Sequence, residues 1–307
     1  MPVAIRTARL TKDYGGGHGL FDLDLEVEAG EVVGYLGPNG AGKTTTIRLL
    51  MDMIRPSRGR AEIFDLDCHD RSVDVKRLVG YVPGEMPQWG GLRGRDIVAY
   101  TGGLRGGIDP ARVASLAERL DLDLGRRYRE YSSGNKRKLG LVLAFMHESR
   151  LLVLDEPTNG LDPLIQQEFY GILEEARERG ATVFLSSHVL SEVEKVCQRV
   201  GILRRGVLVQ VARLDELHRL RYHRVEVDFA GEVPTAALRS VAGVEHVSVD
   251  DHHLTCSVHG SFAPLLQALG TSEVLNLVTH EPSLEEVFLA YFRDEAGPAA
   301  PAPGAER

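Results

Sequence analysis

The chain has 307 residues with 36 Lys plus Arg against 44 Asp plus Glu, a net charge of −8. That length sets an expectation of about two domains, and an acidic balance without any basic run argues against a protein that grips a nucleic-acid backbone. The three cysteines, Cys68, Cys197 and Cys256, have neither paired nor metal-ligand spacing, as in a reducing compartment. The first ten residues have no apolar leader, and no run approaches the ~20 apolar residues that cross a bilayer, so the expected location is the cytoplasm, with any membrane role supplied by a partner.

Residues 2 to 30 alternate as half-buried strands do. Phe21, Leu23, Leu25 and Val27 are expected on one face and Asp22, Asp24, Glu26 and Glu28 on the other. Tyr14 precedes the run Gly15-Gly16-Gly17, where an aromatic either stacks on a nucleotide base or simply ends an edge strand. Glu31 to Leu36 reads as a buried strand and Thr45 to Met53 as a helix. Between them, Gly37-Pro38-Asn39-Gly40-Ala41-Gly42-Lys43-Thr44 matches the phosphate-loop template G-x-x-x-x-G-K-[ST] at each fixed position. The glycines let backbone N–H groups approach a phosphate closely, and the following helix adds positive charge at its N-terminus. Lys43 is expected to reach the β- and γ-phosphates and Thr44 to ligate Mg2+.

Arg77 to Pro83 reads as a strand, and Pro87, Trp89, Gly90 and Gly91 break the stretch after it. Arg95 to Tyr100 and Pro110 to Leu120 then read as helices, interrupting the α/β alternation. In residues 131 to 147, Ser132 or Ser133 is a natural N-cap for a helix burying Leu139, Val142, Leu143 and Met146. That N-terminus is either a second anion site or an ordinarily capped helix. Leu151 to Leu154 is a continuous apolar run of the buried parallel kind, ending in Asp155 and Glu156. The first carboxylate suits support of Mg2+ and the second a base that orients an attacking water. Ala181 to Leu185 is another such strand, ending in Ser186-Ser187-His188. A helix capped by the box Ser191-Glu192-Val193-Glu194 is expected next, carrying Leu190, Val193, Cys197 and Val200 inward. Three polar clusters, Lys43 with Thr44, Asp155 with Glu156, and His188, thus end three apolar strands, and such ends converge on one crevice.

From Asp215 the pattern changes. Strands at 224–229, 244–250, 253–258 and 274–279 and helices at 234–241 and 262–269 follow the order β-α-β-β-α-β. A final helix over Glu281 to Phe292 and a disordered Pro/Ala-rich tail complete the expectation. Asp250, Asp251, His252, His253, Cys256 and His259 have the composition of a metal site, but the alternation of Leu254, Cys256 and Val258 with His253, Ser257 and His259 describes a strand with one solvated face.

With those residues placed, residues 2 to 220 resemble the ATP-binding subunit of ABC transporters. Gly37 to Thr44 resembles the Walker A loop, continued by Thr45, and Ser132-Ser133-Gly134-Asn135 the signature motif. Leu151 to Glu156 resembles Walker B with its catalytic Glu, Gly160-Leu161-Asp162 the D-loop, His188 the switch His, and Tyr14 the adenine-stacking aromatic. The resemblance implies a P-loop α/β cassette over residues 1–218, with an antiparallel N-terminal β-subdomain and a helical subdomain near 85–150. A ferredoxin-like α+β domain over 219–293 and the tail 294–307 follow. It implies ATP and Mg2+ as ligands, catalytic roles for Lys43, Glu156 and His188, and nucleotide contacts from Tyr14, Gly37, Pro38, Asn39, Gly40, Ala41, Gly42, Lys43, Thr44, Thr45 and Asp162. Metal support would come from Thr44 and Asp155. It further implies a head-to-tail homodimer in which Ser132, Ser133, Gly134 and Asn135 cap ATP bound by the partner, without nucleic acid. The appended domain and the Pro-Ser-Leu-Glu-Glu-Val-Phe ending look like the drug- and antibiotic-export branch, whose cassettes pair with ABC-2 type permeases on the inner face of the membrane. The rival is a soluble cassette ATPase that assembles another complex.

Two positions depart from the family pattern. Its signature usually reads Ser-Gly-Gly-Gln, against Ser-Ser-Gly-Asn here, and both versions retain hydrogen-bond donors. Its Q-loop Gln is replaced by Gly84. Either Glu85 or Gln88 substitutes for it, or coupling runs through the backbone.

Overall fold

The computed structural model describes residues 2–215, 222–270 and 272–280. Residues up to Leu214 form one unit and those from Asp215 onward a second. In the first unit the N-terminal alternation builds β1 (Val3–Asp13) and β2 (Gly19–Glu28), which join β4 (Arg58–Ile63) and β5 (Leu66–Asp67) in an antiparallel sheet of order β2-β1-β4-β5. Leu23, Leu25 and Val27 face inward as expected, but Phe21 does not share their face: Leu20 is the buried residue. The cause is local. Asp22 adopts φ +46° where the β1–β2 register shifts, and an irregular residue reverses the side-chain alternation beyond it.

The second sheet holds β3 (Val32–Leu36), β6 (Val79–Val82), β7 (Leu151–Asp155), β8 (Thr182–Ser187), β9 (Arg199–Arg204) and β10 (Val207–Arg213), in the order β10-β9-β3-β8-β7-β6. All its pairings are parallel except β10 with β9. Every residue of β3, β7 and β8 is buried, which accounts for their unbroken apolar runs: both faces of such strands are covered. Helix α1 (Lys43–Leu50) contributes Ile47 and Leu50 to a core that joins Ile5 and Leu23 of the first sheet to Tyr35, Val153 and Phe184 of the second. Burial of such side chains stabilises by about 1.5–3 kcal/mol each.

Helix α2 (Ser72–Leu78) takes Arg77 and Leu78 out of the expected strand, so β6 begins at Val79. Helices α3 (Gly94–Gly103), α4 (Pro110–Arg119) and α5 (Ser133–Phe145) form the helical insertion between β6 and β7. Helix α6 (Pro163–Glu178), absent from the expected elements, connects β7 to β8. Helix α7 (Leu190–Val196) starts from Val189 without a side-chain cap, so Ser191 lies inside its first turn and the expected capping box is not formed. Leu190, Val193 and Cys197 are buried as expected, whereas Val200 is buried from β9 and not from a helix.

The second unit contains β11 (Tyr222–Phe229), α8 (Thr235–Arg239), β12 (Val244–Asp250), β13 (His253–His259), α9 (Ala263–Leu269) and β14 (Val274–His280), with sheet order β12-β13-β11-β14. All its pairings are antiparallel, the split βαβ arrangement. Leu254, Cys256 and Val258 join Val225, Val227, Leu238 and Leu265 in its core, while His253 on the opposite face places Nδ1 2.6 Å from Asp228 Oδ1. The helix expected over residues 281–292 and the tail over 294–307 lie outside the described residues. Among the described residues no helix is long and apolar enough to cross a membrane.

Candidate functional site

The phosphate loop leaves β3 at Leu36 and turns into α1 through Gly42, whose φ of +110° is a conformation that L side chains rarely adopt. Lys43 is therefore the first helical residue, two positions before the expected start. It is 5 % exposed, and its Nζ donates to the carbonyls of Gly37 (2.6 Å) and Pro38 (3.3 Å). The same ammonium lies 3.5 Å from Glu156 Oε1. A cleft of about 620 Å3 opens over the loop, lined by Asn39, Gly40, Ala41, Gly42, Lys43, Thr44, Thr45, Glu156 and, at one side, Tyr14. Tyr14 is 56 % exposed just beyond the end of β1, with Lys12 Nζ over its ring at 5.6 Å from the centroid. His18 and Arg205 also line this cleft and were not among the expected site residues. Arg205 is held there by the β9–β10 turn, in which Gly206 N donates to Ala41 O at 2.8 Å and Phe21 N donates to Gly206 O at 2.7 Å. An Arg-Gly pair between two alternating strands was the available signal.

The carboxylates arrive on β7, whose neighbour β8 places Ser186 beside Asp155. Asp155 is fully buried; Ser186 Oγ donates to its Oδ1 at 2.5 Å, while its Oδ2 has no hydrogen-bond partner among the described residues. A buried carboxylate oxygen without a donor suits a hard cation, which would satisfy the lone pairs that no hydrogen bond reaches. Burial, then the nearby Asp155 charge, pushes the Tyr81 phenol up to about 12. Glu156 has φ +48°, and its N–H donates to Ser186 O at 3.2 Å. That turn swings its carboxylate towards the cleft, where Oε1 lies 3.1 Å from His188 Nδ1 as well as near Lys43. The three strand-end clusters thus meet at one carboxylate.

Gly84 also belongs to this constellation. A Cβ placed on it would lie 2.7 Å from Asp155 Oδ2, so the backbone itself packs where the family carries a side chain. Arg137, 6 % exposed in α5, donates through Nη1 to Pro83 O (2.5 Å) and Asp155 O (3.4 Å) and through Nη2 to Gly84 O (2.6 Å). Burial lowers the pKa of its guanidinium, opposed chiefly by Asp155 and Glu156. Neither Glu85 nor Gln88 lines the Lys43 cleft; both are exposed, and Glu85 lines a neighbouring groove. That groove is also lined by Thr44 and Gly84.

Ser132 caps α5 by accepting from Asn135 N at 3.1 Å, and Ser132 and Ser133 are exposed. None of residues 132–135 lines the cleft of its own chain. They pack instead on the loop after β7, where a Cβ on Gly134 would lie 2.8 Å from Gly160 O. Asp162 accepts from Ile165 N at 3.1 Å and so caps α6, away from the cleft lining. Ser186, Arg137 and Glu192, which receives hydroxyls from Thr158 and Ser187, are further site-region residues missed in the sequence. Apart from Ser187, five residues before Glu192, their partners are distant along the chain.

The family model described as ABC transporter matches residues 20–159. The chain is 33% identical over 255 residues to the bacitracin transport ATP-binding protein BcrA of Enterococcus faecalis, an alignment covering 82% of this chain and 83% of that protein. It is 29% identical over 301 residues to the linearmycin resistance ATP-binding protein LnrL of Bacillus subtilis, covering 93% and 97% of the two chains. A solved structure of the ATP-binding subunit of an ABC transporter matches it with a TM-score of 0.65 at 28% identity, over 70% of this chain and 92% of that one. With a phosphate loop, a buried Asp, a strand-end Glu and a His brought together as above, the chain belongs to the ATP-binding subunits of ABC transporters and binds and hydrolyses ATP.

Proposed function

We propose that this subunit powers the export of an antibiotic-like cargo through a separate ABC-2 type permease, acting as a homodimer on the inner face of the membrane. The cargo class follows the bacitracin transport and linearmycin resistance for which the two relatives are named. The permease reading is supported by a groove of about 520 Å3 beside the site, with Met53, Trp89, Tyr100 and Leu104 in its lining together with Pro83 and Gly84. Tyr100 and Leu104 are 59 % and 68 % exposed, a surface suited to an apolar segment of a partner. Movement there reaches Asp155 directly, through Gly84. The head-to-tail dimer is supported by the exposed signature helix start, which stands outside its own chain's cleft and so is available to a second copy's nucleotide.

The observation that carries the chemistry is the meeting of Glu156 Oε1 with His188 Nδ1 at 3.1 Å and Lys43 Nζ at 3.5 Å. An arriving triphosphate offers Lys43 an anionic partner where the Gly37 and Pro38 carbonyls are neutral, so that attraction of opposite charges adds to the hydrogen bond. Glu156, relieved of Lys43, then accepts a proton from the water whose oxygen attacks the γ-phosphorus as the bond to the β,γ-bridging oxygen breaks. His188 steadies that carboxylate. Thr44 and the unpartnered Asp155 Oδ2 would hold Mg2+, the latter directly or through water, and the ion supplies charge neutralisation of the phosphates.

The test is Glu156→Gln in the full chain. It is expected to keep ATP binding, to lose turnover by ~100- to 10,000-fold, and to sediment as a dimer in MgATP but as a monomer without it. A protein that stays monomeric in MgATP would remove the sandwich from this proposal. Detergent extraction with the co-expressed permease tests the transport role, and failure to copurify would favour a soluble assembly ATPase.

A further inference from the structure

Glu192, in the first turn of α7, sits outside every role assigned above, yet both of its carboxylate oxygens are engaged. Thr158 Oγ1 donates to Oε1 at 2.6 Å and Ser187 Oγ to Oε2 at 2.7 Å, while Val189 N donates to Ser187 Oγ at 2.9 Å. Thr158 and Ser187 are 4 % and 1 % exposed, so water is a poor substitute acceptor for either hydroxyl. Thr158 follows Glu156 by two residues, and Ser187 immediately precedes His188. The contact between Glu156 Oε1 and His188 Nδ1 at 3.1 Å closes these bonds into a ring: Glu156, Thr158, Glu192, Ser187, His188 and back to Glu156.

Two features say that the ring needs this fastening. Glu156 stands at φ +48°, a backbone conformation that persists in a non-glycine residue only where its surroundings over-determine it. The imidazole of His188 is 42 % exposed, and the turn between β8 and α7 hangs on Ser187 Oγ, which accepts from Val189 N, lies 3.1 Å from Val189 O and is itself bonded to Glu192. We infer that Glu192 is a positioning residue for ATP hydrolysis, holding the ends of β7 and β8 so that His188 stays on the Glu156 carboxylate. The inference rests on the roles given to Glu156 and His188 under the proposed function. Its logic is one of acceptors: each carboxylate oxygen takes one hydroxyl, a carboxamide offers a single oxygen to the pair, and although Ser187 Oγ also lies 3.1 Å from Val189 O, Thr158 Oγ1 donates to Glu192.

The experiment is steady-state ATPase on the full chain with MgATP. Glu192→Gln keeps the volume and breaks one spoke; kcat is expected to fall roughly 10- to 100-fold, the scale of a misplacement by about 1 Å, with KM for ATP unchanged. Thr158→Val, nearly isosteric, should lower kcat in the same direction and provides the readout if Glu192→Gln folds poorly. In a His188→Ala background Glu192→Gln should add no further loss, because residues acting through one another are not additive. A full additional loss in that background, or an undiminished kcat in both Glu192→Gln and Thr158→Val while His188→Ala is impaired, would overturn the inference and leave the roles of Glu156 and His188 standing. An undiminished kcat in His188→Ala would instead overturn those roles, and the inference with them.

Discussion

Gly84 has no room for a side chain where it stands, because the first carbon of any substituent would meet the Asp155 carboxylate at 2.7 Å. Where the family pattern has Gln, the backbone at Gly84 thus packs against the Asp155 carboxylate, with Arg137 gripping the carbonyls of Pro83 and Gly84. Gly84→Ala is expected to displace Asp155 and to lower kcat by roughly 10- to 100-fold, with an overpacking cost of about 1–3 kcal/mol. ATPase titrated against Mg2+, together with denaturant unfolding, checks this. Unchanged kcat and Mg2+ dependence would mean that the loop yields freely and that the close contact has no bearing on catalysis. At this scale the P-loop, Asp155, Glu156 and His188 were legible in the sequence because each ends an apolar strand in a fixed local motif. Arg137 was not legible, because its partners lie far away along the chain, nor was Glu192, because it joins the nearby Ser187 to Thr158, 34 residues distant.

Among the elements, the helix starts separate what local pattern decides from what it does not. Asp109 caps α4, its Oδ1 accepting from Ala111 N at 2.9 Å. Ser191 satisfies the capping-box pattern equally well but lies one residue inside α7, exposed, because Ser187 already takes the Val189 N–H. Asp109→Ala is expected to destabilise the protein by about 1 kcal/mol, whereas Ser191→Ala should stay within ~0.5 kcal/mol of the parent. Urea unfolding of the two variants distinguishes them, and equal losses would restore the capping box at Ser191. The strands show the same division. The apolar runs of β7 and β8 marked buried strands correctly, but alternation in β2 misplaced Phe21, since the bend at Asp22 depends on pairing with β1 and not on the residues of β2 alone.

At the scale of the whole molecule, the cassette and the second unit respond to different variables. Function in the first unit depends on ATP and, in the proposed dimer, on a second copy. The second unit carries a charged pair of its own, in which the hydrogen bond to Asp228 holds His253 above the ordinary imidazole value and holds Asp228 below the usual carboxylate range. A raised His value adds stability that is full below about 6.5 and is lost as pH rises through the folded value. The lowered Asp value adds stability that is present above about 3.9 and is lost as pH falls through the folded value. The pair therefore supports this unit between those limits. NMR titration of the full chain should find His253 above the ordinary value and Asp228→Asn should return it there; a titration unmoved by that substitution would dissolve the pair. By itself the sequence determined the family, the phosphate loop, the strand ends that carry the chemistry and the order of elements described in the second unit, because these are set by local motifs and by side-chain periodicity. Tertiary structure alone decided that Glu156 meets both Lys43 and His188, that Asp155 keeps an unpartnered oxygen against Gly84, and that Glu192 ties two strand ends together. Those contacts join segments separated by tens of residues or more, and side-chain reach across parallel strands has no signature in local sequence.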